Sequence, residues 1–383
     1  GRLPTGTAHI RAVDPARKSN KGFTMKASTI AFAASLLATP ALAQEPGQET
    51  PQGDEIVVTG YRFLDADTSG ITNLPLSIEK VPQSISLVNN DFAKAADLKN
   101  MGEIAQYTPG AIFASYSPSY GNQFWLRGFA ANYAINGLLV GDQITDPDPV
   151  ILERYEIVKG PASVVYGAQS PGGVVNLVQK SASPGTPSSV EALGGSWGRW
   201  RLEGQLAGSL NASGTIRAIG VAAHEEGGSF VDHVKLNKSV VYGGLDFDIT
   251  ARLTGFVRAS YQRTEDTPIN GIPTFPDGSL VPVSRSFFLS GSKYRALAQA
   301  TRTDAGLAWK PSDLWSFDLK ATYQYTTHGG ANVYPYGFIA LDGSFPVGGE
   351  KFDDWRVYDF TIAASATRKL DDLGLSGSYL TAS

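Results

Sequence analysis

"ARLTGFVRASYQRT", residues 251–264, decides the fold because its side chains sort with period two. One face carries Ala251, Leu253, Gly255, Val257, Ala259 and Tyr261; the other carries Arg252, Thr254, Arg258, Ser260 and Gln262, with Phe256 the one misfit. Strict alternation over so many residues predicts a long strand with one apolar and one polar face. "WSFDLKATYQYTT", residues 315–327, repeats the pattern: Trp315, Phe317, Leu319, Ala321, Tyr323 and Tyr325 oppose Ser316, Asp318, Lys320, Thr322, Gln324 and Thr326. Residues 200–210 and 356–367 follow it less cleanly.

A soluble sandwich shows the same alternation, so the connections have to discriminate. Those at residues 210–213, 248–250, 310–313 and 369–374 read as short turns, whereas 225–238, 265–294 and 328–354 are long and rich in Gly, Pro and aromatics. Short turns on one rim and long loops on the other predict an antiparallel barrel in an outer membrane, where a closed ladder satisfies every backbone group in lipid.

Composition agrees with an exported, β-rich chain. The 383 residues are 42% apolar and contain 42 glycines, 16 tyrosines, 18 phenylalanines and no cysteine. The missing cysteine removes disulfides and thiolate metal sites. A net charge of −4 with mixed signs offers no basic stripe, which excludes nucleic acid as a partner. Met25-Lys26, an apolar stretch over residues 27–38 and Ala41-Leu42-Ala43 read as a signal peptide over residues 25–43, too short to span a bilayer. Residues 1–24, which lack methionine, are expected to be non-native sequence upstream of the start.

Residues 44–70 form a Pro/Gly/Gln/Asp-rich tether interrupted by one strand-forming stretch, Glu55-Ile56-Val57-Val58-Thr59-Gly60. A lone strand in a flexible tether is suited to adding onto the sheet edge of a partner. Residues 71–182 are a mixed α+β domain. A strand is expected over residues 82–88, then a helix capped by Asn90 and running over Ala93, Leu98, Ile104 and Tyr107, then short strands near 124–127, 155–158 and 174–178. Residues 183–383 hold eight or nine long strands and end inside one, so a fragment of a longer reading frame is expected.

With these residues in view, the chain resembles the TonB-dependent outer-membrane receptors, most closely those for ferric siderophores of the ferrichrome, hydroxamate-like type. Glu55, Ile56, Val57, Val58 and Thr59 resemble the TonB box. Leu126-Arg127-Gly128-Phe129, residues 153–167 (ERYEIVKGPASVVYG) and residues 170–177 (SPGGVVNL) resemble the plug signatures, in the family's order. The resemblance implies an α+β plug inside a transmembrane antiparallel barrel of about 22 strands, needing on the order of 500 residues. It further implies active uptake of a ferric siderophore, with energy delivered by TonB and its ExbB-ExbD complex, in a monomeric receptor held in outer-membrane lipid.

It also implies site residues. Arg127 and Arg154 match plug arginines that pair with barrel glutamates; solvated surface arginines are the other reading. Tyr116, Tyr120 and Trp125, in the aromatic and hydroxyl-rich stretch 113–125, are candidates for contact with a bulky iron chelate, and also for plug core. Gln169, and the loop at residues 142–148, are expected to face outward. No covalent cofactor and no protein-held metal are expected; the ferric siderophore is cargo.

An enzyme is the rival from another class. His9, His224, His233 and His328 lack metal-ligand spacing. Gly194-Gly195-Ser196-Trp197-Gly198 fits the nucleophile-elbow pattern on paper, but it sits between two strands with no helix after it, so a hairpin is expected. Importers of cobalamin, haem, nickel chelates or carbohydrates share the box and plug and remain alternatives, as does a non-transporting outer-membrane barrel.

Overall fold

The computed structural model describes residues 6–9, 83–114, 122–141, 145–160, 170–183, 185–272, 274–335, 337–340, 342–375 and 378–382. A short strand, β1 (Gly6–His9), lies along β17, described below. The mixed domain opens with β2 (Ser84–Asn89), as the alternation at 82–88 predicts. The expected single helix is two. Helix α1 (Asn90–Ala95) is capped by Asn89, whose side chain accepts from the Phe92 N–H at 2.8 Å, and α2 (Met101–Gln106) is capped by Asn100. Between them Asp97 turns left-handed at φ 56°, which breaks the apolar run that sequence periodicity joins. Asn90 is not the cap; its amide donates instead to the Pro149 and Leu152 carbonyls, both at 3.0 Å.

Strands β3 (Ala111–Ala114), β4 (Gln123–Leu126) and β5 (Phe129–Ala130) form a small sheet. Then β6 (Asn132–Ile135), β7 (Leu138–Val140), a 3-10 turn at Pro149–Ile151, β8 (Leu152–Lys159) and β9 (Gly173–Gln179) follow. The larger sheet has the order β2-β8-β9-β6-β7. The Ser170-Pro171-Gly172-Gly173 motif has a backbone reason: Gly173 sits at φ 127°, and a Cβ there would stand 1.9 Å from the Val158 carbonyl oxygen. Only glycine lets β9 close on β8 at this point.

The remaining chain is one antiparallel meander in sequence order: β10 (Ser189–Gly194), β11 (Trp200–Ser209), β12 (Ile216–Gly228), β13 (Lys235–Thr250), β14 (Leu253–Asp266), β15 (Ala296–Trp309), β16 (Trp315–Pro335), β17 (Ser344–Lys369) and β18 (Tyr379–Ala382). Two expected loops are mostly strand. Residues 225–238 reduce to a connection at 229–234, and 328–354 to one at 336–343, because β16 and β17 run on past the apolar band. The connection at 267–295 stays long, and the 195–199 hairpin carries a 3-10 turn with no α-helix after it.

This wall is polar where it is buried and apolar where it is exposed. Arg258, Gln262, Thr264, Asp304, Thr322, Gln324 and Thr326 are buried, while Val241, Leu245, Val257, Leu319, Phe360 and Ile362 on the opposite face are exposed. The outward band is edged by aromatics. One row runs Val241, Tyr261, Thr301, Tyr325, Tyr358; another runs Leu253, Trp309, Phe317. Trp315 stacks on Phe317, and Tyr325 packs on Tyr358. Leu253 and Tyr261 lie eight residues apart on β14, about 27 Å at the usual strand rise; allowing for tilt, that suits the ~25 Å apolar band of a membrane barrel. Among the described residues no helix is long and apolar enough to cross a membrane.

The misfit Phe256 is on the inward face, its ring over Gly306 of the next strand and beneath the Arg258 guanidinium, 4.1 Å from the ring centre. Inward-facing Ile219, Val221, Ala223, Val240 and Tyr242 join Val88, Ile104, Tyr155, Ile157 and Leu177 of the mixed domain in one core. That domain is seated on the polar side of the wall.

Candidate functional site: the plug–wall interface

The stretch whose sequence resembles a TonB box, Glu55, Ile56, Val57, Val58 and Thr59, lies outside the described residues, as do Tyr116, Tyr120 and Gln169. Trp125 is on β4, opposite Ile112, with 39% of its surface exposed. Arg127 follows in the β4–β5 turn at φ 52°, exposed, with its guanidinium beside Gly160. Arg154 pairs within its own domain: its guanidinium donates to Glu156 at 2.7 and 2.8 Å, two positions along β8. Glu156 also accepts from Asn176 on β9 at 2.9 Å, so this arginine braces its own sheet.

The ionic anchor between domain and wall is elsewhere, in a loop that the sequence alone places facing outward. Asp146 and Asp148 are buried, 4% and 0% exposed. Arg201, Glu225 and Lys238 face inward on three successive strands and are cross-strand neighbours in a single row. Asp148 enters the middle of that row. Arg201 grips its carboxylate with two nitrogens at 2.8 and 3.0 Å, and Lys238 donates at 3.0 Å. Arg201 also donates to Glu225 at 3.1 Å and to Glu203 at 2.9 Å. Two arms of one side chain, Gln262 on β14, fasten the same loop: its amide donates to the Asp146 carbonyl at 2.8 Å, and its oxygen accepts from the Asp148 N–H at 3.0 Å.

Burial pushes the Asp148 carboxyl upward, but the Lys238 and Arg201 charges and the hydrogen bonds from Arg201 and the Val150 N–H outweigh it. The group is held well below the ordinary carboxylate range. For Asp146 the balance is opposite. Burial dominates, opposed by Lys238 and the Met101 N–H and reinforced by the charges of Asp148 and Glu103, and its pKa rises from 3.8 to about 7.

Further contacts hold the domain along its exit and along β7. The Lys180 carbonyl accepts from Arg258 at 3.1 Å and from the Tyr242 hydroxyl, and the Ala182 N–H donates to Asp246 at 2.8 Å. The Thr361 hydroxyl donates to the Leu139 carbonyl at 2.9 Å, Lys320 to that of Asn136 at 3.3 Å, and the Gly141 N–H to Asp359. Sequence reasoning could list Arg201, Glu225 and Lys238 as polar-face residues, yet only strand register shows them in one row. Among the described residues no group of three His, Cys, Asp or Glu could hold a metal ion. His224 faces outward, bonded to Ser239 at 2.8 Å, and His328 packs on Trp355.

A membrane wall with a separate α+β domain bolted to its inner face narrows the comparison, and residues 77–174 match the TonB-dependent receptor plug domain. That segment is a TonB-dependent receptor plug domain. Over 246 residues, 61% of this chain and 30% of the relative, it is 32% identical to the ferripyoverdine receptor of Pseudomonas aeruginosa. It is 27% identical to the ferrioxamine B receptor of Salmonella typhimurium over 79% of this chain and 45% of the relative. The chain thus spans less than half the length of these relatives. The crystal structure of the outer-membrane ferripyoverdine receptor of Pseudomonas aeruginosa bound to ferripyoverdine superposes with a TM-score of 0.70 at 25% identity, over 80% of this chain and 42% of that one. The fold is thus that of a plug domain against part of an outer-membrane barrel wall, with residues 77–174 in the plug.

Proposed function

We propose that the chain is the plug-bearing part of an active importer of a ferric siderophore. The observation that carries the reading is the inside-out wall with a plug fastened to its polar face: lipid-facing Val257 and Ile362 on one side, Asp148 locked to Arg201 and Lys238 on the other. A blocked lumen has no use as a passive pore, so passage requires work on the plug. The stretch Glu55-Ile56-Val57-Val58-Thr59 would receive that work by adding as a strand to the periplasmic protein TonB, driven by ExbB-ExbD. Cargo of the siderophore class is supported by relatives named for ferripyoverdine, ferrioxamine B and ferrichrome. Trp125, with Tyr116, Tyr120 and Gln169, would meet the chelate through its organic surface, and the protein contributes no catalytic step.

The test is growth and iron uptake with ferrioxamine B, ferrichrome and ferripyoverdine each as sole iron source, beside cobalamin uptake as the contrast. Iron uptake from at least one chelate is expected, and Val58→Pro, which removes an edge-strand N–H, abolishes it while surface binding persists. Normal uptake by Val58→Pro defeats the TonB-box assignment; cobalamin uptake without iron uptake defeats the cargo class.

A further inference from the structure

The plug meets the described wall through two unlike contacts. Against β12 and β13 the contact has an apolar centre, with Ile219, Val221, Ala223, Val240 and Tyr242 continuous with the plug's own core; the Asp148 anchor lies beside it, and Arg217, Tyr242 and Asp246 bond the plug's exit at Lys180 and Ala182. Against β15–β17 it is polar. Two adjacent rows cross this part of the wall: Arg258, Asp304, Thr322, Thr361 and Ser260, Arg302, Gln324, Asp359.

The centre of the polar contact is under-bonded. Asp304, Thr322 and plug residue Gln179 are 2%, 1% and 3% exposed. Both Asp304 carboxylate oxygens, the Thr322 hydroxyl, the Gln179 amide nitrogen and Arg302 Nε have no hydrogen-bond partner. The Arg302 charge and the Thr322 and Gln179 side chains lie close enough to interact with the carboxylate, but none completes a hydrogen bond of normal geometry to it. Buried polar groups left in such a cluster are served by ordered water. Towards the periplasmic rim the same face opens into a cavity lined by Arg217, Asp246, Phe256, Asp318 and Lys320, one row from Asp304.

We propose that the cluster of Gln179, Arg302, Asp304 and Thr322 is a water-filled seam, and that the plug parts from the wall along it while remaining seated on β12 and β13. Opening the apolar contact would wet a hydrophobic core and strand the charges of Asp148, Arg201 and Lys238. Opening the seam exchanges a few bonds, such as Thr361 to Leu139 and Lys320 to Asn136, for bonds to water already present. The weaker side is the polar one. This inference rests on the importer reading and deepens it by naming the face that moves.

The chain contains no cysteine, so introduced thiols report without background. Thr322→Cys on the seam and Val221→Cys on the seat are near-isosteric changes, each made singly in the receptor in outer membranes, with Thr361→Cys as the seam probe should Thr322→Cys fail to fold. A small charged methanethiosulfonate reagent is applied with the proton gradient collapsed, then again in energised membranes with ferrioxamine B, ferrichrome or ferripyoverdine. The seam thiol is expected to react at least tenfold faster than Val221→Cys at rest, and faster still when energised. Equal rates at rest overturn the water-filled seam; acceleration at Val221→Cys alone overturns the choice of face. The resting contrast needs no cargo, so a receptor that imports none of the three chelates would defeat the importer reading and leave the seam to be judged by labelling.

Discussion

Gly173 and Asp148 show how single residues fix the plug. Gly173→Ala would press a methyl group into the Val158 carbonyl at a backbone angle L-residues avoid, so β8 and β9 could not pair there. The variant is expected to lose the folded, heat-modifiable form on gels, and a wild-type melting profile would contradict the argument. Asp148→Ala would leave Arg201 and Lys238 buried without their shared counter-ion, a loss of about 3–5 kcal/mol for a buried pair broken on one side. The exposed pair of Lys94 with Glu191, 3.6 Å apart with about two-fifths of each side chain in solvent, should contribute only ~0–1 kcal/mol. Thermal unfolding of Asp148→Ala and Glu191→Ala in detergent checks the contrast, since Lys94 keeps its second partner, Glu203, in the latter.

The two aspartates also give opposite pH dependences. Asp148 binds its proton less readily folded than unfolded, so its stabilisation is present above about pH 3.8 and lost as pH falls below. Asp146 binds its proton more readily folded, so its contribution is greatest below about pH 3.8 and declines as pH rises to about 7. Asp146→Asn is expected to flatten the fall in melting temperature between those two values while keeping the acid limb; an unchanged slope would refute the assignment. None of this is legible in the sequence, where Asp142, Asp146 and Asp148 read as an acidic outward loop. Their burial depends on cations contributed by β11 and β13, about 50 to 90 positions downstream, that no local pattern connects to them.

At the scale of elements, the wall strands are the most readable feature. The alternation in residues 251–264 and 315–327 follows the pleat, and even Phe256 obeys it by facing inward onto Gly306. Strand ends are less readable, since β16 and β17 continue as a Gly-rich ribbon past a register shift at His328/Gly330, where composition suggests a loop. The helices merge in the sequence for a related reason: the apolar spacing continues through residues 96–100, while Asp97 and the Asn100 cap break the backbone. Val257 lies mid-band on the outward face, beside Leu245 and Ala305. Val257→Arg is therefore expected to cost about 2–4 kcal/mol in a bilayer; a stability equal to wild type in lipid unfolding titrations would remove β14 from the membrane.

At the scale of the molecule, one wall serves two environments with its two faces. Its outward face is matched to hydrocarbon, and its inward face carries the charges and amides that hold a plug with its own core. Sequence motifs announce the plug, because those glycines and arginines fall in short local segments. They cannot announce how plug and wall meet, which is set by register across strands far apart in the chain. Spin labels at Val241, Val257 and Ile362, compared with labels at Thr264 and Thr322, test this arrangement most directly through their accessibility to oxygen and to a water-soluble nickel chelate in membranes. The first three are expected to collide with oxygen and to be shielded from nickel, and the last two to show little collision with oxygen; nickel access at Val257 equal to that of a fully solvated loop would contradict the account.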